Sequence, residues 1–398
     1  MAEKPVTMGY RFRLYPTPVQ ARQIDRTLGC ARWVYNKALE CRIAAREAGA
    51  KTPGYSALCK MLTSWKGDPA TCWLREADSM ALQQALRDLV RAYDNFFASC
   101  RGERPRTGFP RFKSKRAGLQ SYRTNCNGGA VRVEDTRHVV LPKLGRVKAR
   151  VSRDVRGRIL SATVTRTPTG KYFCSLLADG APIEQRPASG GPIGVDLGIA
   201  HEVVTSNGEA YQSPKALKRS LKRLKRAQRS LSRKKRGSAN YGKQRKRVAR
   251  VHERVADQRR DFINKLTTRL VRENQAVCAE SLNVRGMMKN RRLARSLGDA
   301  GLGEVLRQLE YKSAWYGRAF VQVDRFYPSS KTCSKCGHVQ EMPLSVRTYE
   351  CPVCGMSIDR DLNAAINIRD EAIRKLGWDT PEVKACGEVY PLMTVKAV

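Results

Sequence analysis

Near its start the chain alternates apolar residues with arginine. Tyr10, Phe12 and Leu14 interleave with Arg11 and Arg13, the period of a half-buried strand over 8–14. Tyr15-Pro16 ends that strand, and a helix start follows: Thr17 as N-cap, Pro18 at the first helical position, Gln20 closing a capping box. Helices, two by this reading, should fill most of 18–48. A third is predicted over 79–100, where Leu82, Leu86, Leu89, Tyr93 and Phe96/Phe97 recur at helical spacing. Those aromatics read as core rather than as a base-stacking platform. Gln83 and Gln84 flank the stripe, so at least one of them should be exposed. Short alternating runs with turn signals between them then predict strands at 131–133, 138–141, 146–151, 159–167 and 171–177. Their spacing suggests a small antiparallel barrel or sandwich that the first strand could complete, with the helices as an insertion.

The second half has a different pattern. After a linker at 182–191 comes an apolar strand, Ile193 to Leu197, with Asp196 inside it and Gly198 at the turn; 201–206 reads as the returning strand. Leu217, Leu221, Leu224 and Leu231, then Val248, Val251, Val255 and Phe262 beyond 237–242, predict a helical hairpin with an apolar seam. A second apolar strand, 275–280, ends in Glu280. A helix within 301–320 and a third strand at 319–323 follow. The run DRDLNAAINIRDEAIRKL predicts a closely packed helix through Ala364, Ala365, Ile368 and Ala372, and 377–398 reads as a tail.

Charge sharpens this picture. The 398 residues hold 76 basic against 36 acidic side chains, a net charge of +40, and length alone suggests two or three domains. A field of that size calls for a polyanion, and nucleic acid fits better than an anionic membrane surface. No apolar run is long enough for a bilayer span, and the N-terminus lacks the apolar core of a signal peptide. Within 215–260, twenty basic residues meet only two acids, Glu253 and Asp257. A merely solvated face would mix signs, so the hairpin's outer face, with Lys222, Arg226 and Arg229, is a candidate nucleic-acid surface. The stretch GERPRTGFPRFKSKR at 102–116 reads either as a grip on a nucleic-acid backbone, through Arg111 and Lys113, or as a linker anchored by Phe109 and Phe112.

Two chemistries stand out. Cys333/Cys336 and Cys351/Cys354 are CxxC pairs separated by fourteen residues, the spacing of a closed four-thiolate site for one structural Zn²⁺. The other nine cysteines lie singly, which suits a reducing cytoplasm and argues against disulfides. Asp196 in a strand, Glu280 at a strand end, and Asp361 or Asp359 at a helix start could converge on one α/β core. Such a cluster holds two Mg²⁺ about 4 Å apart for phosphodiester cleavage. Asp359 and Asp361, two positions apart on a helix, cannot both face that site.

The motifs GVDLGI (194–199), AESLNVRGM (279–287), DRFYPSSKTCSKCG (324–337) and CPVCGMSIDRDLNAAINI (351–368) resemble the nuclease motifs and zinc ribbon of the TnpB family. YRFRLYPTPVQ (10–20), LQQALRDLVRAYDNFF (82–97) and GFPRFKSKR (108–116) resemble it too, in the same order, so the likeness spans nearly the whole chain. The resemblance implies a multidomain α+β protein: a RuvC/RNase H-like nuclease core with an inserted zinc ribbon, preceded by a wedge β-barrel split by an α-helical recognition insertion. It places the first wedge strand at 1–16, the recognition domain at 17–117, the rest of the wedge at 118–188 and the nuclease at 189–328, with its basic hairpin at 214–272. The ribbon falls at 329–356, the third-motif helix at 357–376 and a tail at 377–398. It implies RNA-guided cleavage of double-stranded DNA beside a short target-adjacent motif, the guide RNA coming from the transposon end and one protein acting per RNA. Asp196, Glu280 and Asp361 become the Mg²⁺-binding catalytic set, with Arg347 supporting the cut phosphate. Gln84 and the segment holding Tyr122, Thr124 and Asn125 lie where the family contacts the motif. A miniature type V CRISPR effector would carry the same features. A guide-independent transposase and a non-catalytic nucleic-acid-binding regulator remain the other classes.

Overall fold

Met8, Tyr10, Phe12 and Leu14 are buried on one side of β1 (Val6–Leu14), as their alternation requires. The computed structural model describes residues 6–115, 118–180, 188–198, 203–343 and 345–377. It divides the chain into two units, Met1–Ala181 and Pro182–Val398. Residues 182–187 of the linker expected over 182–191, the start of the returning strand at 201–202 and the tail beyond Gly377 lie outside the described residues, and the linker's last two residues, Gly190 and Gly191, already belong to a strand.

In the first unit, Thr17 caps α1 (Pro18–Glu47) in a complete capping box: Gln20 N donates to Thr17 Oγ1, and Gln20 Oε1 accepts from Thr17 N at 3.0 Å. α1 is one uninterrupted 30-residue helix rather than two. α2 (Tyr55–Gly67) and a 3-10 turn (Cys72–Glu76) follow; the sequence reading passed over both. α2 starts without a capping side chain and buries only Leu58 and Leu62, so it carries little periodic signal. α3 (Ser79–Cys100) has the predicted bounds, with Leu82, Leu86, Leu89 and Tyr93 buried.

The strands β2 (Gln120–Asn125), β3 (Arg132–Asp135), β4 (His138–Leu141), β5 (Gly145–Arg150), β6 (Arg158–Arg166) and β7 (Tyr172–Gly180) join β1 in one antiparallel sheet. Its order is β2-β6-β7-β1-β5-β4-β3, so β1 sits mid-sheet and the helices α1–α3 are inserted between it and β2. Five of the six later strands match their expected positions to within three residues at either end. β2 was not foreseen, because QSYRTN lacks an apolar alternation.

The second unit is built on a five-stranded sheet: β8 (Gly190–Asp196), β9 (Val203–Thr205), β10 (Ala210–Tyr211), β11 (Asn274–Glu280) and β12 (Ala319–Val323), in the order β10-β9-β8-β11-β12. β8, β11 and β12 run parallel, β9 returns antiparallel to β8, and β10 turns back antiparallel to β9. Between β10 and β11 stand α4 (Ala216–Ser232) and α5 (Ala239–Glu273), the predicted hairpin. Its turn is shorter than expected: Gly242 lies inside α5, and Gln244 Nε2 clips the two helices by donating to Ala227 O at 2.9 Å. The short α6 (Val284–Met287) and α7 (Ala294–Ala300) lead to α8 (Leu302–Tyr316). β13 (Thr348–Glu350) and β14 (Ser357–Asp359) form a small ribbon, and α9 (Arg360–Leu376) closes the unit.

Strand alternation divides the core in two. Ile193, Val195 and Val277 point toward Ile263, Leu266, Leu270, Val305 and Leu309 of α5 and α8. Ala276, Cys278 and Val323 point the other way, toward Ile368 and Ala372 of α9. The sheet therefore lies between α5/α8 and α9.

Candidate metal centres and nucleic-acid surfaces

Period-two geometry puts Asp196 on the face of Gly194, and Glu280 on the face of Ala276 and Cys278. That is the face α9 covers. The parallel register aligns Cys278 with Gly194 and Ala279 with Val195, so Asp196 and Glu280 end neighbouring strands at one edge. Asp361, in the first turn of α9, lies close enough for its charge to act on Asp196. The electrostatics reflect this meeting. Burial, then the nearby carboxylates of Glu280 and Asp361, push Asp196 up to about 7, while the backbone N–H of Leu197 and the Arg360 guanidinium pull it down. Burial also raises Glu280, and a hydrogen bond from Ser329 Oγ offsets part of that rise.

Asp359 is not on the helix but is its N-cap, its Oδ1 accepting from Asp361 N at 2.9 Å and Leu362 N at 3.0 Å. What distinguishes the two aspartates is thus capping and not their angle around a helix. Arg347, largely exposed, places Nη1 3.7 Å from Asp361 Oδ1.

The donor set suits hard divalent cations: three carboxylates crowded at a partly buried edge, where mutual repulsion favours a cation or a proton. Among the described residues, the four ribbon cysteines are the only such group whose ligand atoms all fall within 4.8 Å of one another.

In the ribbon, Cys333 Sγ lies 3.6 Å from Cys354 Sγ, and Cys336 Sγ 3.5 Å from Cys351 Sγ. A disulfide would bring sulfurs to about 2.05 Å. A tetrahedron with Zn–S bonds of about 2.3 Å has edges near 3.8 Å, which the four thiols approach. The two knuckles are built alike. Gly337 N donates to Cys333 O and Gly355 N to Cys351 O, each glycine having positive φ, while Cys333 N and Cys351 N donate to His338 O and Met356 O. Between the knuckles Tyr349 is fully buried, its hydroxyl donating to His338 O at 3.0 Å.

Residues that the sequence reading missed tie the two centres together. Asn363 Oδ1 accepts from Ser334 N at 3.0 Å and its Nδ2 donates to Thr332 O at 2.7 Å; one turn on, Asn367 Nδ2 donates to Ser329 O and Thr332 O, both at 2.7 Å. Arg360, buried, donates to Pro343 O and Ser330 Oγ. These polar residues at i, i+3 and i+7 make one face of α9 a clamp for the first knuckle. The sequence signal was present: three polar side chains on the same side of a small-residue helix.

The nucleic-acid candidates fare unequally. Lys222, Arg226 and Arg229 are exposed and line one groove along α4. That helix has no capping side chain of its own. Asp299 of α7 caps it from a distance, accepting from Leu217 N and Lys218 N at 2.9 and 3.0 Å and from Arg259 Nη2 at 3.1 Å. Arg111 is exposed. Lys113 is exposed as well, with its ammonium over the ring of Tyr35, 4.0 Å from the centroid. Gln84, Tyr122 and Thr124 are buried, contrary to the expectation of an accessible contact set. Gln83 is half-buried, so neither glutamine is exposed: Gln84 Oε1 accepts from Arg123 Nη2 at 2.6 Å, where β2 packs on α3. Of this group Asn125 is partly accessible.

Residues 173–291 match a family described as "Probable transposase", 303–368 one described as "Cas12f1-like, TNB domain", and 1–51 one described as "Helix-turn-helix domain". In this chain that last segment holds β1 and the single helix α1. A Streptomyces pristinaespiralis protein named "Putative RNA-guided DNA endonuclease" is 42% identical over 375 residues, covering 91% of this chain and 89% of that protein. An Escherichia coli (strain K12) protein, "Putative RNA-guided DNA endonuclease InsQ", is 34% identical over 375 residues, covering 90% of each. Among solved structures, a Cas12f1 chain in complex with guide RNA and target DNA shares the fold, with a TM-score of 0.53 at 14% identity over 92% of this chain and 99% of that one. The chain belongs to the TnpB family, the OrfB proteins of IS605-type transposons.

Proposed function

We propose that this chain is an RNA-guided DNA endonuclease that hydrolyses phosphodiester bonds at the edge shared by β8, β11 and α9. The observation that carries the reading is the convergence of Asp196, Glu280 and Asp361 at the ends of β8 and β11 and the start of α9, where burial first, and then the charges of Glu280 and Asp361, raise Asp196 to about 7. The strand order β10-β9-β8-β11-β12, with parallel β8, β11 and β12, supports an RNase H-like core of the RuvC kind. Two Mg²⁺ held there would activate the attacking water and stabilise the leaving oxygen. The chain's own residues hold the carboxylates in place: Ser329 orients Glu280, Asp359 fixes the first turn of α9, and Arg347 stands beside Asp361 within reach of a cut phosphate.

In this reading, 329–356 is a zinc ribbon that receives target nucleic acid. The seven-stranded sheet, at 1–16 and 118–188, is the wedge, and 17–117 is the recognition domain. The groove on α4 grips the guide RNA by phosphate contacts, so its binding weakens steeply with salt. The guide derives from the transposon end and one protein acts per RNA, in the cytoplasm where the DNA lies. The protein reads the target-adjacent motif and backbone shape, and base pairing reads the sequence.

The test is to express the chain beside its flanking DNA, sequence the RNA that co-purifies, and offer that complex a plasmid bearing the matching target with Mg²⁺. Linearised plasmid from the wild type and none from Asp196→Asn or Glu280→Gln supports the reading. Strand-transfer products carrying a transposon end would favour a guide-independent transposase. Unchanged cleavage by both variants would sink the assignment of the site.

A further inference from the structure

The recognition helices hold a pocket of about 530 Å³, within the range of small-ligand sites, that the activity described above does not use. Its walls are aromatic. Trp33 of α1 makes edge contacts with Trp65 and Trp73, at 5.6 and 5.5 Å between centroids. Phe112 closes another side. Trp73 is 38% exposed and Phe112 57%, so two large rings face solvent across the pocket. Phe112 is held there deliberately: the Asn36 side-chain amide pairs with both backbone groups of Lys113, accepting from N at 2.8 Å and donating to O at 3.0 Å. The neighbouring Phe109 turns inward, edge-on to Tyr93 and Phe96, and anchors the segment. Of the two phenylalanines in this basic stretch, one is structural and the other is presented.

The polar lining identifies the occupant. Arg26, Arg32 and Lys37 share the rim with Glu40 and Glu76, and Arg26 pairs with Glu76 at 3.0 Å and Lys37 with Glu40 at 3.1 Å. Two carboxylates beside the cations disfavour a bare phosphate. Flat aromatic walls with both hydrogen-bond donors and carboxylate acceptors at the edge fit a nucleobase, whose exocyclic amino groups donate and whose carbonyls accept. Arg111 and Lys115, exposed on either side of Phe112, are placed for the phosphates that flank such a base.

We infer that the pocket between Trp33, Trp73 and Phe112 binds one unstacked nucleobase of single-stranded nucleic acid. The inference rests on the chain being a nucleic-acid-binding effector, and goes beyond it in naming a base-capture site remote in sequence from the carboxylates. The base comes from the guide RNA or from an unwound DNA strand, and the two sources are separable.

The test uses the full-length chain with short unstructured RNA and DNA oligonucleotides, each bearing one iodouracil, at salt high enough to suppress contacts made through phosphates alone. Tryptophan quenching gives the isotherm, and photocrosslinks are mapped by mass spectrometry. We expect quenching together with crosslinks on Trp33, Trp73 or Phe112. Phe112→Ala should weaken the quenching isotherm roughly 5- to 150-fold, the range for losing one base–aromatic stack, and Phe112→Tyr should retain it. Whichever oligonucleotide gives this pattern is the source. Crosslinks confined to other segments, or an isotherm unchanged by Phe112→Ala, would overturn the inference. Guided plasmid cleavage is scored separately: its absence with pocket binding intact would sink the nuclease reading alone, and its presence without pocket binding would sink this one alone.

Discussion

Gly194 of β8 lies directly under Ala365 of α9: a Cβ on Gly194 would stand 1.9 Å from the Ala365 carbonyl oxygen. Strand and helix backbones touch there, two residues before Asp196 and one turn after Asp361. Gly194→Ala should therefore lift α9 and separate the two carboxylates. The expected result is a destabilisation of about 1–3 kcal/mol by thermal melt. Cleavage should fall by more than the folded fraction does, while RNA binding by the α4 groove stays near wild type. Full cleavage by this variant would mean the helix can slide without cost to the site.

Asp359 and Asp361 should separate cleanly by substitution. Asp359→Ala removes the cap of α9 and should cost about 0.5–2 kcal/mol of stability with partial loss of cleavage. Asp361→Asn should leave stability level or raised, because it removes one of three crowded charges, yet abolish cleavage. Paired melting and plasmid assays read both, and the opposite pattern would exchange the two roles.

Stability should depend on pH through the carboxylate cluster. Asp196 is raised to about 7 in the folded chain, above its ordinary value of 3.8, and Glu280 is raised as well. The folded state then holds these protons more tightly than the unfolded state does. Their contribution to stability is fully present below the unfolded value and is lost as pH rises through about 7. In magnesium-free buffer, Tm should fall between pH 5 and pH 8, and the slope should flatten in Asp196→Asn. Mg²⁺ added at pH 8 should restore Tm by neutralising the cluster. A wild-type profile that is parallel to the variant's, with no response to Mg²⁺, would count against the cluster.

Zinc should be structural and coupled to the nuclease edge through α9. Elemental analysis of the purified chain should give about one zinc per protein. Cys351→Ala should lose it and loosen the knuckles, exposing Tyr349. Because Asn363 and Asn367 grip the first knuckle, and Ser329 beside it bonds Glu280, cleavage should fall too. Asn363→Ala should lower cleavage while keeping the zinc, which separates the clamp from the metal.

Local patterns made much of this protein legible in its sequence. The alternation in β1, the box of Thr17 and Gln20, the bounds of α3 and the apolar seam of the basic hairpin are all set by neighbours within a few residues, so propensity and periodicity suffice. The CxxC spacing likewise carries its own geometry. Features that depend on distant partners were illegible or misread. β2 is a strand because β6 offers it hydrogen bonds, and Gln84 is buried because Arg123 crosses from β2 to meet it. α4 has no cap in its own sequence, and Asp299 supplies one from about eighty residues away. At the candidate active site, the sequence determined which carboxylates were unusual: one inside an apolar strand, one at a strand end, and a pair at a helix start. Tertiary structure decided that they meet, since parallel register sets Asp196 beside Glu280 and the glycine contact lets α9 come close enough to deliver Asp361. It also gave Asp359 its capping role, because an N-cap is defined by the backbone groups a side chain can reach, and only the folded helix end puts those groups in place.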